Sequence, residues 1–317
     1  MGKVLLLINS KDKYFWKFAE KSEKIQIENV YKKVFSSKLY NKMRRGKPKW
    51  AYCYFGILNN WKYKLNSYDK IIILDSAYSR QIDFYLKSYR GKAYFYMWNV
   101  MHSDFEHAEK QMQSVYQGLE RYSYSRVDCQ KHSIRFNTTM YIPKKEYLKD
   151  SFLNKKEWTF DVIFIGLVIR NRVDQLDDIL ELFSRQKISF YIYGVEDKRK
   201  EKRNVKASNY TLHDKYLPYE KYLELLMESK AILDIAKYDN EGDGISLRAM
   251  ESIFYHKKFI TTNPQIKVEK FYNRKNVFII GEDEDDTLMD FIMEPYEEIP
   301  KEIVDYYLVE NWVDRFE

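Results

Sequence analysis

Short apolar runs that close on a polar residue, each followed by a helix-length stretch, most constrain what this chain can become. Lys70-Ile71-Ile72-Ile73-Leu74-Asp75 is the plainest of them. A continuous run of that length suits a strand buried on both faces, as in a parallel sheet. Residues 4–8 and 92–99 repeat the pattern, and 79–89 read as a helix closed by Arg90-Gly91. Residues 51–57 read as a further strand, and 15–35 carry helical signals. After a polar stretch at 143–158, with Pro143-Lys144-Lys145 and Asn154-Lys155-Lys156, the same alternation restarts. Strands are expected at 160–166, 188–193, 231–236, 258–263 and 276–280. Leu176, Ile179, Leu180 and Phe183 follow helical spacing, so 174–186 is an amphipathic helix. Tyr219, Leu223, Leu226 and Met227 mark another, and Leu247, Met250 and Phe254 a third. Residues 303–316 read as an aromatic-rich helix.

Alternating strands and helices imply parallel sheets with crossovers. The chain has 317 residues, and 45% hydrophobic content supplies two cores. The expected class is α/β, with an N-terminal domain over 1–150 and a C-terminal domain over 151–300. Residues 301–317 are expected to pack back on the first. Ligands of such sheets bind beyond the carboxyl ends of the strands. Asp75, Asn99, Gly166, Gly194 and Asn263 stand at such ends.

Charge divides unevenly. Residues 1–150 hold 29 Lys and Arg against 14 Asp and Glu, whereas 151–317 hold 25 against 33. The first half therefore suits an anionic partner: a membrane surface, a lipid-diphosphate carrier or nucleic acid. A solvated basic surface is the plainer alternative. Lys42-Met43-Arg44-Arg45-Gly46-Lys47-Pro48-Lys49-Trp50 mixes cations and aromatics without forming a known nucleic-acid module. No apolar run spans a bilayer, and the N-terminus does not read as a secretory signal. Two isolated cysteines, Cys53 and Cys129, make neither a disulfide framework nor a zinc site. The expectation is a cytoplasmic protein, peripheral to the inner face of the cell membrane.

The densest chemistry lies in Asp243-Gly244-Ile245-Ser246-Leu247-Arg248-Ala249-Met250-Glu251. An acid and a glycine lead into a helix whose N-terminus favours phosphate. Arg248 and Glu251 lie one turn apart on it. A helix-surface ion pair is the structural alternative. Gly166, followed by Arg170 and Arg172, offers a second place where backbone and guanidinium groups meet an anion. The acid run from Glu282 to Asp286 suits a solvated turn or a helix start better than a metal.

The block 238–263 (YDNEGDGISLRAMESIFYHKKFITTN) resembles the sugar-nucleotide motif of GT-B glycosyltransferases, with an acid-x7-Glu signature read as Asp243-x7-Glu251. Its surroundings are similar to bacterial enzymes of capsule, exopolysaccharide and lipopolysaccharide synthesis. The similarity extends to 161–166 and 217–223, and more weakly to 68–72 and Trp98-Asn99. It implies two Rossmann-like domains facing across a cleft. It also implies metal-independent, retaining transfer of a hexosyl unit from a nucleoside diphosphate sugar, with UDP-sugar favoured, to a glycan or lipid-linked glycan. No cofactor and no nucleic acid are expected. Arg248 with Arg170 or Arg172 would meet the diphosphate, alongside Gly166 and the N–H groups around Gly244 and Ser246. Glu251 would accept ribose hydroxyls and Asp243 would orient the sugar. Tyr219 and Asn263 would line the donor pocket. Asp75 and His102 are the candidate acceptor-side acid and base. A nucleotide- or glycan-binding protein without turnover, and a nucleic-acid-binding α/β protein, remain alternatives.

Overall fold

A computed structural model of the chain describes residues 2–9, 13–31, 58–99, 117–153, 155, 157–168, 171–196, 210–236 and 244–317. They form two compact units, one of residues 1–138 with 309–317 and one of residues 139–308.

The first unit holds β1 (Val4–Ile8), β2 (Ile25–Asn29), β3 (Lys70–Leu74), β4 (Lys92–Met97), β5 (Glu120–Ser123) and β6 (Arg135–Phe136). They pair in the order β2-β1-β3-β4-β5-β6, every pair parallel. The helical signals at 15–35 resolve differently: a 3-10 turn at Tyr14–Phe18, then the strand β2. Ile25 and Ile27 are buried while Gln26 and Glu28 are not fully so, and that period of two marks a strand. The strand expected at 51–57 lies outside the described residues.

Val309–Glu317 belongs to this unit and breaks into a short helix, Val309–Trp312, and a 3-10 turn, Val313–Arg315. One helix over 303–316 does not form, because Lys301–Asp305 ends before Val309. Trp312 is fully buried, meets Tyr96 edge-on at 4.8 Å and donates from Nε1 to the Thr138 carbonyl at 2.8 Å. Lys70 Nζ donates to the Phe316 carbonyl at 2.7 Å.

The second unit holds β7 (Phe160–Leu167), β8 (Phe190–Val195), β9 (Thr211–His213), β10 (Ser229–Asp234), β11 (Lys258–Thr261) and β12 (Val277–Ile279). Their order is β12-β11-β10-β7-β8-β9, again all parallel. Val162, Phe164, Ile192, Ala231 and Leu233 share one core with the helix Asn171–Arg185 through Leu176, Leu180 and Phe183. Ile163, Ile232 and Phe259, one position out of phase, are buried on the other face, where the helices Tyr219–Met227 and Leu247–Phe254 lie. Both units are therefore Rossmann-like layers of helix and parallel sheet. Among the described residues no helix is long and apolar enough to cross a membrane.

Candidate active site

In the second unit the chain runs outward from β7 through β8 to β9, then returns to β10 on the other side of β7. The strand order thus reverses between β7 and β10, and a crevice opens beyond the carboxyl ends of such a pair. The helix Leu247–Phe254 starts there. Ser246 caps it, its Oγ accepting the Ala249 N–H at 3.3 Å.

Arg248 reaches from this helix across both strand ends. Nη1 donates to Asp234 Oδ1 at 2.8 Å and Nη2 donates to the Ile165 carbonyl at 2.5 Å, while the guanidinium lies 5.3 Å from the Phe164 ring centroid. The ion pair is mostly out of water, with side-chain exposures of 18% for Arg248 and 7% for Asp234. Burial disfavours the guanidinium charge, but Asp234, Tyr222 and Glu251 together outweigh it, and the pKa ends above the ordinary arginine value. Gly166 makes this crossing possible: a Cβ there would collide with Nη2. The glycine expected to admit a ligand admits the Arg248 side chain.

Glu251, one turn on, is 2% exposed. Its Oε1 accepts from the Tyr219 hydroxyl at 2.6 Å, and its Oε2 accepts from the Tyr222 hydroxyl. Burial raises its pKa to about 7 against the opposing pull of those two hydroxyls and of Arg248. Tyr219 continues to the Tyr141 hydroxyl at 2.8 Å, and Tyr141 donates to the Tyr255 hydroxyl at 3.2 Å. The carboxylate expected to meet ribose stands at the end of a buried tyrosine chain.

The other expected residues separate. Asn263 is 6% exposed and serves as a cap, its Oδ1 accepting the Gln265 N–H at 3.0 Å and its Nδ2 donating to the Gly244 carbonyl at 3.4 Å. It holds the loop before the helix. Arg172 turns back on the end of β7, donating to the Leu167 carbonyl at 3.3 Å. Asp243, Arg170 and His102 lie outside the described residues. In the first unit, Asp75 stands at the end of β3 and accepts from Asn99 Nδ2 at 2.9 Å. Burial raises its pKa, with Asn99 and Ser76 opposing. In the acid run, Asp283 pairs with Arg274 at 3.0 Å and Glu282 with Lys267.

Sequence reasoning passed over Asp234, although an acid inside the apolar stretch Ala231-Ile232-Leu233-Asp234-Ile235-Ala236 was a visible signal. It also passed over Tyr193 and His213, whose rings stack 3.8 Å apart and 4° from parallel. They sit at the ends of β8 and β9. Gly194 is in register with Gly166, and Val195 with His213, so the pair lies up to two strands, about 10 Å, from the Arg248 crossing.

In fold the chain resembles a glucosyltransferase. An alpha-glucosyltransferase solved with UDP and a 13-mer DNA containing an A:G mismatch superposes with a TM-score of 0.52 at 11% identity, over 99% of this chain and 94% of that one. A DNA-modifying beta-glucosyltransferase, solved with and without uridine diphosphoglucose, gives 0.46 at 14% identity over 97% and 93% of the two chains. The Gap123 glycosylation-associated protein complex of Streptococcus agalactiae gives 0.40 at 14% identity, over 77% of this chain and 51% of that one. No protein-family model matches the chain, and no curated protein matches it in sequence.

Proposed function

We propose that the protein is a GT-B glycosyltransferase moving a hexosyl unit from a nucleoside diphosphate sugar, with a UDP-sugar favoured, to a glycan or lipid-linked glycan acceptor in bacterial surface polysaccharide synthesis. The observation that carries this reading is the Arg248 bridge between Asp234 and the Ile165 carbonyl, at the mouth of the switch point and at a helix N-terminus. When the donor bond breaks, charge collects on the departing β-phosphate. Donors fixed in advance at that place lower the barrier without reorganising. Asp234 and Ile165 engage two of the five guanidinium N–H groups and lock the plane; the other donors and the helix N–H groups ahead of Ala249, whose own N–H goes to Ser246, serve the diphosphate.

The remaining roles follow from position. The Tyr193–His213 pair offers a flat ring surface at a nucleotide's length from Arg248, suited to the donor base. Asp243 orients the transferred sugar. Glu251 acts through the helix it anchors, holding Arg248 and the N-terminal N–H groups in place. Transfer proceeds without metal and with retention, and Asp75 is the candidate acid or base on the acceptor side. The positive first half faces an anionic acceptor or the membrane that carries it.

A screen of UDP-, GDP-, dTDP- and CMP-sugars, read by thermal shift and by slow hydrolysis in the presence of chelator, tests the proposal. A shift with one nucleotide that vanishes in Arg248→Lys supports it. Equal shifts in wild type and variant would remove Arg248 from the donor site. A nucleic-acid acceptor is a second reading, favoured by the excess of 29 cations over 14 anions in residues 1–150 and by the DNA in the alpha-glucosyltransferase complex. Sugar transfer to duplex DNA but to no glycan would select it.

A further inference from the structure

Near the carboxyl ends of β7 and β10 the buried charges do not cancel. Arg248 supplies the cation, and Asp234 takes it, Oδ1 accepting from Nη1 at 2.8 Å. The oxygens of Glu251 accept from neutral hydroxyls instead, Tyr219 at 2.6 Å and Tyr222. The groups that face Glu251 are Arg248 from its own helix, Asp234 from β10, Tyr219 and Tyr222 from the helix Tyr219–Met227, and, behind Tyr219, Tyr141 and Tyr255. Among the described residues Arg248 is the cation of that set. With Glu251 ionised, two carboxylates share this guanidinium and the cluster is left negative; with Glu251 protonated it is neutral.

A diphosphate beside Arg248 brings further negative charge to the same place. Arg248 and Glu251 stand about 5 Å apart along the helix axis. Like charges that close disfavour each other's ionised forms, so a proton on Glu251 relieves the repulsion. Burial has already lifted this carboxyl to a pKa of about 7, which brings its neutral form within reach. The network also has room for the proton. The Tyr219 and Tyr141 hydroxyls lie 2.8 Å apart, and either can donate to the other. A protonated Glu251 donates to Tyr219, Tyr219 to Tyr141, and Tyr141 to Tyr255 at 3.2 Å, while Tyr222 keeps its bond to Oε2. No buried hydroxyl of the chain loses its partner.

We propose that nucleotide binding is coupled to protonation of Glu251: the diphosphate is taken up together with one proton from bulk water, which this carboxyl holds. The inference rests on the diphosphate site assigned above and adds its regulation by pH. The bound protein keeps the proton to higher pH than the free protein does. Affinity is therefore level well below pH 7, falls as the free carboxyl ionises, and levels again once the bound one has ionised too.

The test is calorimetry of UDP, with GDP in parallel, binding to the full chain in two buffers of different ionisation enthalpy. If the nucleotide raises the carboxyl by about one unit, about half a proton is taken up per nucleotide at about pH 7.5. Wild-type affinity then falls about sevenfold between about pH 6.5 and about pH 9, a range above the phosphate's own ionisation near about 6. Glu251→Gln removes both the uptake and the fall, and at about pH 9 it binds about tenfold more tightly than wild type. Binding without proton uptake, or uptake that persists in Glu251→Gln, would overturn the coupling and leave the donor reading standing. A variant weaker than wild type at every pH would mean that the carboxylate touches the ligand, which overturns it as well. No binding of either nucleotide would remove the donor reading and the coupling with it.

Discussion

Gly166 and Arg248 occupy one space: the guanidinium passes where a Cβ at position 166 would stand. Because Nη2 donates from there to the Ile165 carbonyl, any side chain at 166 displaces the bridge. Gly166→Ala is expected to cost about 2 kcal/mol by overpacking and to weaken the nucleotide thermal shift together. A urea melt and a UDP titration check it. Loss of stability with an unchanged shift would separate Arg248 from the donor.

The ion pair can be tested from its other end. Asp234→Ala leaves a mostly buried guanidinium unpaired and is expected to cost about 3–5 kcal/mol. Asp234→Ala combined with Arg248→Met removes both charges and should recover much of that loss. A double-mutant cycle by chemical denaturation measures the coupling, and additive costs would show that the two do not interact.

Stability should depend on pH through Glu251. Its ordinary pKa is 4.5 and in the fold it is about 7, so the folded protein holds this proton more tightly than the unfolded chain. Ionising the buried group therefore costs stability: nothing below 4.5, progressively more up to about 7, and a constant amount above. Glu251→Gln escapes that cost. Between about pH 4.5 and pH 8 its stability relative to wild type should rise by about 3 kcal/mol. The same difference at both pH values would mean that Glu251 ionises as it does in water.

Ser246 separates capping from anion binding. Ser246→Ala should cost about 1 kcal/mol, as expected for the loss of the hydroxyl that accepts from Ala249. Ser246→Asp caps as well as serine, so melting should hardly change. Its negative charge beside the diphosphate should nevertheless abolish nucleotide binding. An aspartate variant that still binds UDP would move the diphosphate away from this helix.

Trp312→Ala removes a fully buried ring and its hydrogen bond to Thr138, and should destabilise the first unit by about 3–5 kcal/mol. Hydrogen exchange, read unit by unit, should show faster exchange in β3 and β4, with β7 and β10 protected as before.

The parallel sheets were legible because β3, β4, β7 and β10 carry unbroken apolar runs whose length alone suggests strands. β6 and β9 have two and three residues, too few for any periodicity to show. β2 was hidden because Ile27, Val30, Tyr31 and Val34 follow helical spacing in a longer window. At the site, position along the chain put Arg248 and Glu251 on one helix, but their partners come from far away in sequence. Asp234, Ile165 and Tyr222 are set by strand order and helix packing, which local spacing does not encode. Hence the partners of the two residues could not be read from their spacing: Arg248 is held by Asp234 and the Ile165 carbonyl, and Glu251 accepts from two tyrosines.

The closing stretch 309–317 completes the unit that opens the chain. During synthesis β1 to β6 therefore leave the ribosome long before Trp312 and Phe316 arrive to cover them. The second unit, whose segments are contiguous, can assemble first, while the opening half waits with apolar surface bare. Nascent chains arrested short of Val309 should accordingly bind chaperones and succumb to proteases at their amino-terminal half.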